Sequence, residues 1–296
     1  MTVFKAYDIR GIAGEQLDED FSERLGKAIA THLDAKAVSV VRDIRESSPS
    51  YHEAFVSGLR SSGADVVDLG ISTTGVLYRS TVDLPVDVAV AITASHNPPE
   101  YNGFKICQGK MPLGGEDLQD IRRTFEAGEF RTGAGDYRSM EEYEDSYIDA
   151  IVESVGAPSR KVKVVLDCGN AVPGPLALRT LESLGVEVIP IYCDWDNSFP
   201  NHPPDPTRQE NMVDLGKAVV ENGAEFGIGM DGDGDRLGVV DQNGKFIHPD
   251  RLMGIFLKDV LENLDREASE EERTIFFDVK CSMALEEAIL GFGGIP

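Results

Sequence analysis

The sequence has little positive charge and few lysines. Of its 296 residues, 28 are Lys or Arg and 52 are Asp or Glu, which gives a formal net charge of −24. Only 11 of the basic residues are lysines. A surface this negative repels nucleic acids and anionic membranes, so we expect neither as a partner. The composition favours a protein adapted to high salt, where ions screen the repulsion, over an ordinary acidic protein.

Long hydrophobic runs and closely spaced cysteines are also missing. A membrane-spanning helix needs about eighteen consecutive apolar residues, and no such stretch occurs. The first ten residues lack the apolar segment of a signal peptide. The four cysteines form no Cys-x-x-Cys pair, so a zinc or redox motif is unsupported. We therefore expect a cytoplasmic protein with reduced thiols.

Apolar residues recur in patterns that alternate between helix and strand. Phe21, Leu25 and Ile29 follow helical spacing, and a short apolar run at residues 38–41 then reads as a buried strand. Similar helix–strand pairs continue along the chain. Strands that alternate with helices predict an α/β fold of repeated units with mostly parallel, mixed sheets.

One pattern recurs three times: an apolar strand that ends in Asp, followed by a helix, a glycine and another strand. The terminal aspartates are Asp43, Asp167 and Asp278. Either generic α/β units coincide here or, as we infer, one unit is repeated. Few residues follow Asp278, so we expect two complete domains and the start of a third. The expected boundaries are residues 1–142, 143–245 and 246–296.

Two loops that follow strands carry the polar motifs. Residues 91–107 read AITASHNPPEYNGFKIC, where Ser95 ends a buried strand, and residues 229–240 read GMDGDGDRLGVV. Ligands of open α/β sheets bind beyond the carboxyl ends of strands. In an extended loop Asp231, Asp233 and Asp235 point the same way. Converging carboxylates require a cation, and hard oxygen ligands suit Mg²⁺.

Other interpretations of the three aspartates were weighed. An EF-hand loop needs Gly at its sixth position and Glu at its twelfth, and these positions hold Arg236 and Gln242. A dehalogenase-type Asp-x-Asp motif would stand after the first strand of its domain. A solvated acidic turn stays open as the alternative to a metal site.

The pair Ser95 and His96 also suggests a serine hydrolase. Adjacent residues of an extended chain point to opposite sides, so His96 is expected to be badly placed as a base for Ser95. The sequence also has no Gly-x-Ser-x-Gly elbow. We therefore expect Ser95 to carry a phosphoryl group rather than to serve as a turn residue, with positive charge from Lys105, Arg236 and Arg10.

The motifs AYDIRG, TASHNP, YNGFK, DCGN, FPNHPPDP and DGDGDR together resemble those of the α-D-phosphohexomutases. The resemblance is greatest to the phosphomannomutase/phosphoglucomutase branch and extends over essentially the whole chain. It implies a four-domain enzyme, of which this chain holds the first two domains and the opening of the third.

The resemblance also implies roles for individual residues. It implies a phosphoserine at Ser95 and one Mg²⁺ ion held by that group and by Asp231, Asp233 and Asp235. The residues implied in catalysis are Ser95, His96, Lys105, Arg236 and Arg10, and those implied in substrate binding are Tyr7, Arg10 and Lys105.

The implied activity interconverts hexose 1-phosphate and hexose 6-phosphate, of mannose or glucose, through a hexose 1,6-bisphosphate that also acts as activator. The implied protein is a monomer or a dimer. Alternatives are a phosphoglucosamine mutase, a metal-assisted phosphatase, and an inactive fragment that binds metal or a partner. We expect the sugar-recognition loop and the fourth domain beyond residue 296, so the chain alone should isomerise hexose phosphates poorly or not at all.

The acidic composition predicts a dependence of stability on salt. If it reflects adaptation to high salt, the melting temperature will rise as KCl increases from dilute to 1 M, where the Debye length falls to about 3 Å. A thermal melt across this KCl series measures the effect. A melting temperature that is flat or falls would support an ordinary acidic protein.

Overall fold

Two mixed β-sheets form the framework of the computed structural model, which describes residues 3–265 and 268–296. Residues 1–2 of the predicted first domain and 266–267 of the predicted third lie outside the described residues. The strands are β1 (Ile9–Ile12), β2 (Ala37–Arg42), β3 (Asp65–Ile71), β4 (Val88–Ile92), β5 (Tyr101–Gln108), β6 (Met111–Pro112), β7 (Tyr137–Ser139), β8 (Lys163–Asp167), β9 (Glu187–Ile191), β10 (Phe226–Met230), β11 (Leu237–Val240) and β12 (Phe246–Ile247). The helices are α1 (Glu19–His32), α2 (Ser48–Ser61), α3 (Thr74–Asp83), α4 (Glu116–Ala127), α5 (Tyr143–Val155), α6 (Pro173–Ser183), α7 (Val213–Asn222), α8 (Pro249–Glu262), α9 (Glu270–Arg273) and α10 (Met283–Gly291).

The first sheet has the strand order β1-β5-β4-β2-β3-β7, and β6 pairs with β5. Strands β4, β2, β3 and β7 are parallel, whereas β5 is antiparallel to both β4 and β1. Val38 and Val40 of β2 pack in a core with α1, α2 and α4, and Val41 lies in a second core with α3 and α5. Both faces of the parallel strands are therefore covered, as their continuous apolar sequences require.

The second sheet has the order β12-β11-β10-β8-β9. Strands β10, β8 and β9 are parallel, and β11 and β12 form an antiparallel hairpin at its edge. Residues 241–245 connect the hairpin, with Gly244 at a φ of 73° and its N–H bonded to the Asp241 carbonyl. The Gln242-Asn243-Gly244-Lys245 sequence is typical of a hairpin turn or of a connection between domains, and here it forms the hairpin turn. The two sheets confirm the predicted α/β class.

The described residues after β12 are mainly helical. A strand was expected at residues 274–278, and this expectation is wrong: Thr274 forms a single parallel bridge with Ile295. A strand persists only beside a partner that takes up its backbone hydrogen bonds, and Phe276 in this segment is 88% exposed. The helix expected near residues 283–290 is present as α10.

The longest helices of the described ranges contain 14 residues, and none has the length and apolar character needed to cross a bilayer.

Helices α1 and α2 approach each other closely at Gly58, whereas Gly254 of α8 faces open space. We therefore expect opposite effects on stability when each glycine is replaced by alanine. A Cβ on Gly58 of α2 would lie 2.0 Å from the Glu23 carbonyl oxygen of α1, whereas a Cβ on Gly254 of α8 would meet nothing within 4 Å. We expect Gly58→Ala to lower the free energy of unfolding by about 1–3 kcal/mol, because the helices must separate.

The matched change Gly254→Ala gains helix propensity without a clash and should raise local helix stability by up to about 1 kcal/mol. Urea unfolding followed by circular dichroism compares the two variants with wild type. Equal effects of the two substitutions would contradict the close approach of α1 and α2.

Candidate active site

Ser95 lies in a tight loop after β4, here called the serine loop (residues 93–98). The strand ends at Ile92, so Ser95 lies beyond the strand end at which the sequence placed it. Its φ of 51° is in the left-handed region that non-glycine residues rarely adopt. The Ser95 N–H donates to Thr93 Oγ1 at 2.9 Å, and the residue is 1% exposed. This backbone conformation directs Oγ toward the second sheet's loops.

The aspartates follow β10 in a second loop, here called the carboxylate loop (residues 231–235). Gly234 adopts a φ of 75°, and its N–H donates to the Asp231 carbonyl at 3.1 Å. Asp231 Oδ1 in turn accepts from the N–H groups of Asp235 and Arg236, each at 2.9 Å. One oxygen from each of the three aspartates lies within 4.8 Å of the others. The carboxylates thus converge through a turn, and the extended loop assumed from the sequence is wrong.

The serine and carboxylate loops touch through their backbones. A Cβ on Gly232 would lie 2.1 Å from the Ser95 carbonyl oxygen, so only glycine permits this approach. Ser95 Oγ donates to Asp231 Oδ2 at 2.8 Å. Thr74, at the start of α3, makes two hydrogen bonds to Asp233. Its backbone N–H donates to the Asp233 carbonyl at 3.1 Å, and its hydroxyl donates to Asp233 Oδ2 at 2.6 Å. Groups from both sheets therefore surround one cluster of carboxylates.

Lys105 on β5 forms ion pairs with two of the three carboxylates. Its Nζ lies 2.5 Å from Asp233 Oδ2 and 2.6 Å from Asp235 Oδ2. Burial alone would lower the pKa of Lys105, but the two carboxylates outweigh it and raise this pKa to about 12. Burial would likewise raise the pKa of Asp233, yet the charge of Lys105 holds it below its usual range.

Asp231 has a more distant basic partner, because Arg236 Nε lies 3.9 Å from its Oδ2. Burial, followed by the charges of Asp233 and Asp235, raises the pKa of Asp231 to about 7. Asp233 Oδ1 is buried without a hydrogen-bond partner. A small divalent cation would stabilise both groups, because it supplies the positive charge and the ligand contact that they lack. The donors fit Mg²⁺, which prefers carboxylate oxygens.

His96 lies closer to Ser95 than the sequence suggested. Its Nδ1 is 3.1 Å from Ser95 Oγ and 2.8 Å from Arg236 Nη1. The expected poor placement is wrong, because the left-handed conformation of Ser95 breaks the alternation of an extended chain. Burial, and then the positive charge of Arg236, lowers the pKa of His96, so its imidazole is neutral at neutral pH.

The two N-terminal residues singled out from the sequence differ in position. Arg10 donates to Asn97 Oδ1 of the serine loop at 2.6 Å and to Asp8 Oδ2 at 2.5 Å. Its Nε is buried and has no hydrogen-bond partner. Tyr7 is 85% exposed and is not packed into this cluster. The structure therefore joins Arg10, but not Tyr7, to the serine loop.

The sequence reasoning missed Thr74, which fixes the carboxylate loop. The available signal was the pair Thr73-Thr74 between a strand and a helix, where Thr73 caps α3 by accepting from the Val76 N–H. A capping motif predicts the start of a helix but does not reveal that the next side chain contacts a distant aspartate.

The fold and the cluster define a class of α/β proteins with a serine hydroxyl beside three converging carboxylates that could hold a metal ion. Two family models match the chain: "Phosphoglucomutase/phosphomannomutase, alpha/beta/alpha domain I" over residues 1–132 and domain II of the same family over residues 145–244. The chain belongs to the phosphoglucomutase/phosphomannomutase family.

Individual relatives agree with this assignment. A phosphomannomutase/phosphoglucomutase of Pseudomonas aeruginosa is 40% identical over 298 residues, and a phosphoglucomutase of Neisseria gonorrhoeae is 39% identical over 297. These matches take in 100% and 99% of this chain but only 63% of each relative. A solved structure of a family protein from Burkholderia thailandensis superposes with a TM-score of 0.92 at 38% identity, over 99% of this chain and 66% of that one.

The raised pKa of Asp231 predicts that metal binding depends on pH. Below pH 7 a cation must displace a proton from Asp231, so the apparent affinity for Mg²⁺ should fall by up to about tenfold per pH unit. Above about pH 8 the carboxylate is ionised and the affinity should level off. Calorimetric titration with Mg²⁺ across this range measures the effect.

The variant Asp231→Asn should lose both tight binding and the pH dependence. Asp241→Asn removes the same charge from the β11–β12 turn and should retain both. An affinity of the wild-type protein that does not change between about pH 5.5 and pH 8 would contradict the shifted pKa.

Proposed function

We propose that the chain takes part in phosphoryl transfer between Ser95 and a hexose phosphate, as the core of a phosphohexomutase. The observation that carries the proposal is the 2.8 Å hydrogen bond from Ser95 Oγ to Asp231 Oδ2. This bond brings a serine hydroxyl to a cluster of three carboxylates, which supports the proposal that the cluster holds a cation. Family membership and the names of the relatives support mannose or glucose phosphates as substrates.

In this proposal Ser95 carries the phosphoryl group, and Asp231, Asp233 and Asp235 hold one Mg²⁺ ion. The bound ion would neutralise negative charge on the transferred group, which is the main demand of phosphoryl transfer. The carboxylates also set the position of Ser95 Oγ through Asp231. Because Ser95 is buried and hydrogen-bonded to Thr93 and Asp231, its Oγ has little freedom to turn away.

The proposed transfer exchanges one P–O bond for another. A sugar hydroxyl attacks the phosphorus, the bond from phosphorus to Ser95 Oγ breaks, and a hexose 1,6-bisphosphate forms. The sugar then presents its other phosphate. Ser95 Oγ attacks that phosphorus, the bond from phosphorus to the sugar oxygen breaks, and the phosphoryl group is transferred to Oγ. In each direction one oxygen loses a proton and the other gains one. Neutral His96, with Nδ1 at 3.1 Å from Oγ, is placed to move that proton.

The basic residues have a different part in the proposal. Lys105, with a pKa of about 12, is protonated and acts as a fixed positive charge and donor rather than as a base. Arg236 contacts His96 of the serine loop, and Arg10 contacts Asn97 of the same loop. We assign these three residues to the phosphate groups of the substrate, and we assign Tyr7 to substrate binding through the resemblance alone.

The domain boundaries 1–142, 143–245 and 246–296 belong to the same proposal. The end of the first sheet at β7 (Tyr137–Ser139) supports the boundary at residue 142, whereas β12 (Phe246–Ile247) pairs with β11 and extends the second sheet two residues past the boundary at 245. The cytoplasm, where we expect hexose phosphates to be supplied, remains the proposed location.

Phosphorylation of Ser95 tests the proposal directly. Incubation with glucose 1,6-bisphosphate and Mg²⁺ should add one phosphoryl group to the wild-type chain, seen in its intact mass and mapped to Ser95 by peptide sequencing. Ser95→Ala should gain none, because the acceptor oxygen is missing. Ser50→Ala removes a hydroxyl of α2 outside the serine loop and should be phosphorylated like wild type.

Product analysis separates the alternatives. Release of inorganic phosphate from the labelled chain, with no bisphosphate formed from added glucose 6-phosphate, would favour a phosphatase. Transfer to glucose 6-phosphate without full isomerisation would show that the half-reaction belongs to this chain. Labelling of a residue other than Ser95, or no labelling at all, would contradict the proposed function.

A further inference from the structure

Arg45, just after β2, is fully buried beside the serine loop. It is 1% exposed, and its guanidinium has five N–H groups. All five are used: Nε donates to Asp43 Oδ2 at 3.0 Å, and the other four donate to backbone carbonyls. The four carbonyls belong to Ser95 (2.8 Å), Asn97 (2.7 Å), Pro98 (2.6 Å) and Tyr101 (3.0 Å).

Two of these hydrogen bonds hold the part of the serine loop around Ser95, whose backbone is left-handed. The left-handed conformation is unfavourable for serine relative to ordinary backbone, so other contacts must hold it. Arg45 Nη2 binds the carbonyl of Ser95 itself and that of Asn97. A planar fork of donors can satisfy several carbonyls at fixed angles, which a lysine ammonium cannot.

Arg45 is itself held from two directions. Asp43 Oδ1 accepts from the Arg45 N–H at 3.0 Å and from Ser48 Oγ at 2.5 Å, which fixes the carboxylate that orients the guanidinium. From the other unit, the ring of Phe199 lies 5.5 Å from the guanidinium carbon, within range of a cation–π contact. Phe199 precedes the carboxylate loop in the chain, so both units contact the same arginine.

We propose that Arg45 is a positioning residue that holds Ser95 in the left-handed conformation and thereby aims Oγ at the carboxylate loop. It does not touch the reacting atoms. Its loss would let the serine loop relax, and the phosphoryl group would then be transferred slowly even when the sugar is bound. The inference rests on the proposed function for its kinetic consequence, but not for its structural one.

The variant Arg45→Lys keeps the positive charge but removes the planar set of five N–H donors. Its matched control is Arg131→Lys, because Arg131 also bonds carbonyls, those of Ser62 and Ala35, but lies away from the site. Two measurements are made on each: the exchange of the backbone amides of residues 95–101 with deuterium, and the single-turnover rate of Ser95 phosphorylation by glucose 1,6-bisphosphate.

Arg45→Lys should speed exchange in residues 95–101 by at least about tenfold. It should also lower the saturating phosphorylation rate by about tenfold or more, with little change in the half-saturating concentration. Arg131→Lys should change neither. If Arg45→Lys does not fold, Asp43→Asn, which keeps the arginine but removes its charged partner, should show the same pattern to a smaller degree.

Unchanged exchange in both Arg45→Lys and Asp43→Asn, or equal effects in the Arg131→Lys control, would overturn the inference. If the wild-type chain is not phosphorylated, the proposed function fails, and the exchange measurement still decides the role of Arg45.

Discussion

The contact between the serine loop and the carboxylate loop is the constraint on which the rest of the site depends. It joins two separate sheets through the hydrogen bond of Ser95 to Asp231 and through a backbone approach that only Gly232 allows. Each loop follows a parallel strand at its carboxyl end, where α/β sheets commonly bind ligands. Neither sheet alone would hold both the hydroxyl and the carboxylates.

The charges of the site are arranged unevenly. Lys105 forms ion pairs with Asp233 and Asp235, whereas Asp231 is buried, has Arg236 Nε at 3.9 Å, and has a pKa raised to about 7. A cluster of this kind is unfavourable without a cation, and the energy is recovered when one binds. Fixed charges that need no rearrangement during reaction stabilise developing charge effectively. The same feature that destabilises the metal-free chain therefore favours the binding of a cation.

The sequence predicted the fold class and the residues of the cluster, because both depend on local patterns. Apolar runs that end in polar residues predicted the parallel strands. The spacing of Asp231, Asp233 and Asp235 predicted that their carboxylates converge. Two of the errors have the same physical origin, because local reasoning assumed an extended backbone. Ser95 is left-handed, so His96 contacts it, and the carboxylate loop is a turn. The strand expected at residues 274–278 lacked neighbouring strands to pair with. Thr74 and Arg45 were missed because their roles depend on contacts with residues far away in the chain.

The central claim is that one cation bridges the carboxylate loop and the group on Ser95. Electron–nuclear double resonance on the chain loaded with Mn²⁺ in place of Mg²⁺, after phosphorylation, measures this directly. The account predicts a strong hyperfine coupling between Mn²⁺ and the ³¹P nucleus of the phosphoserine, as direct ligation by a phosphate oxygen produces. A tightly bound Mn²⁺ ion without ³¹P coupling would contradict the account, since the metal and the serine would then occupy separate sites.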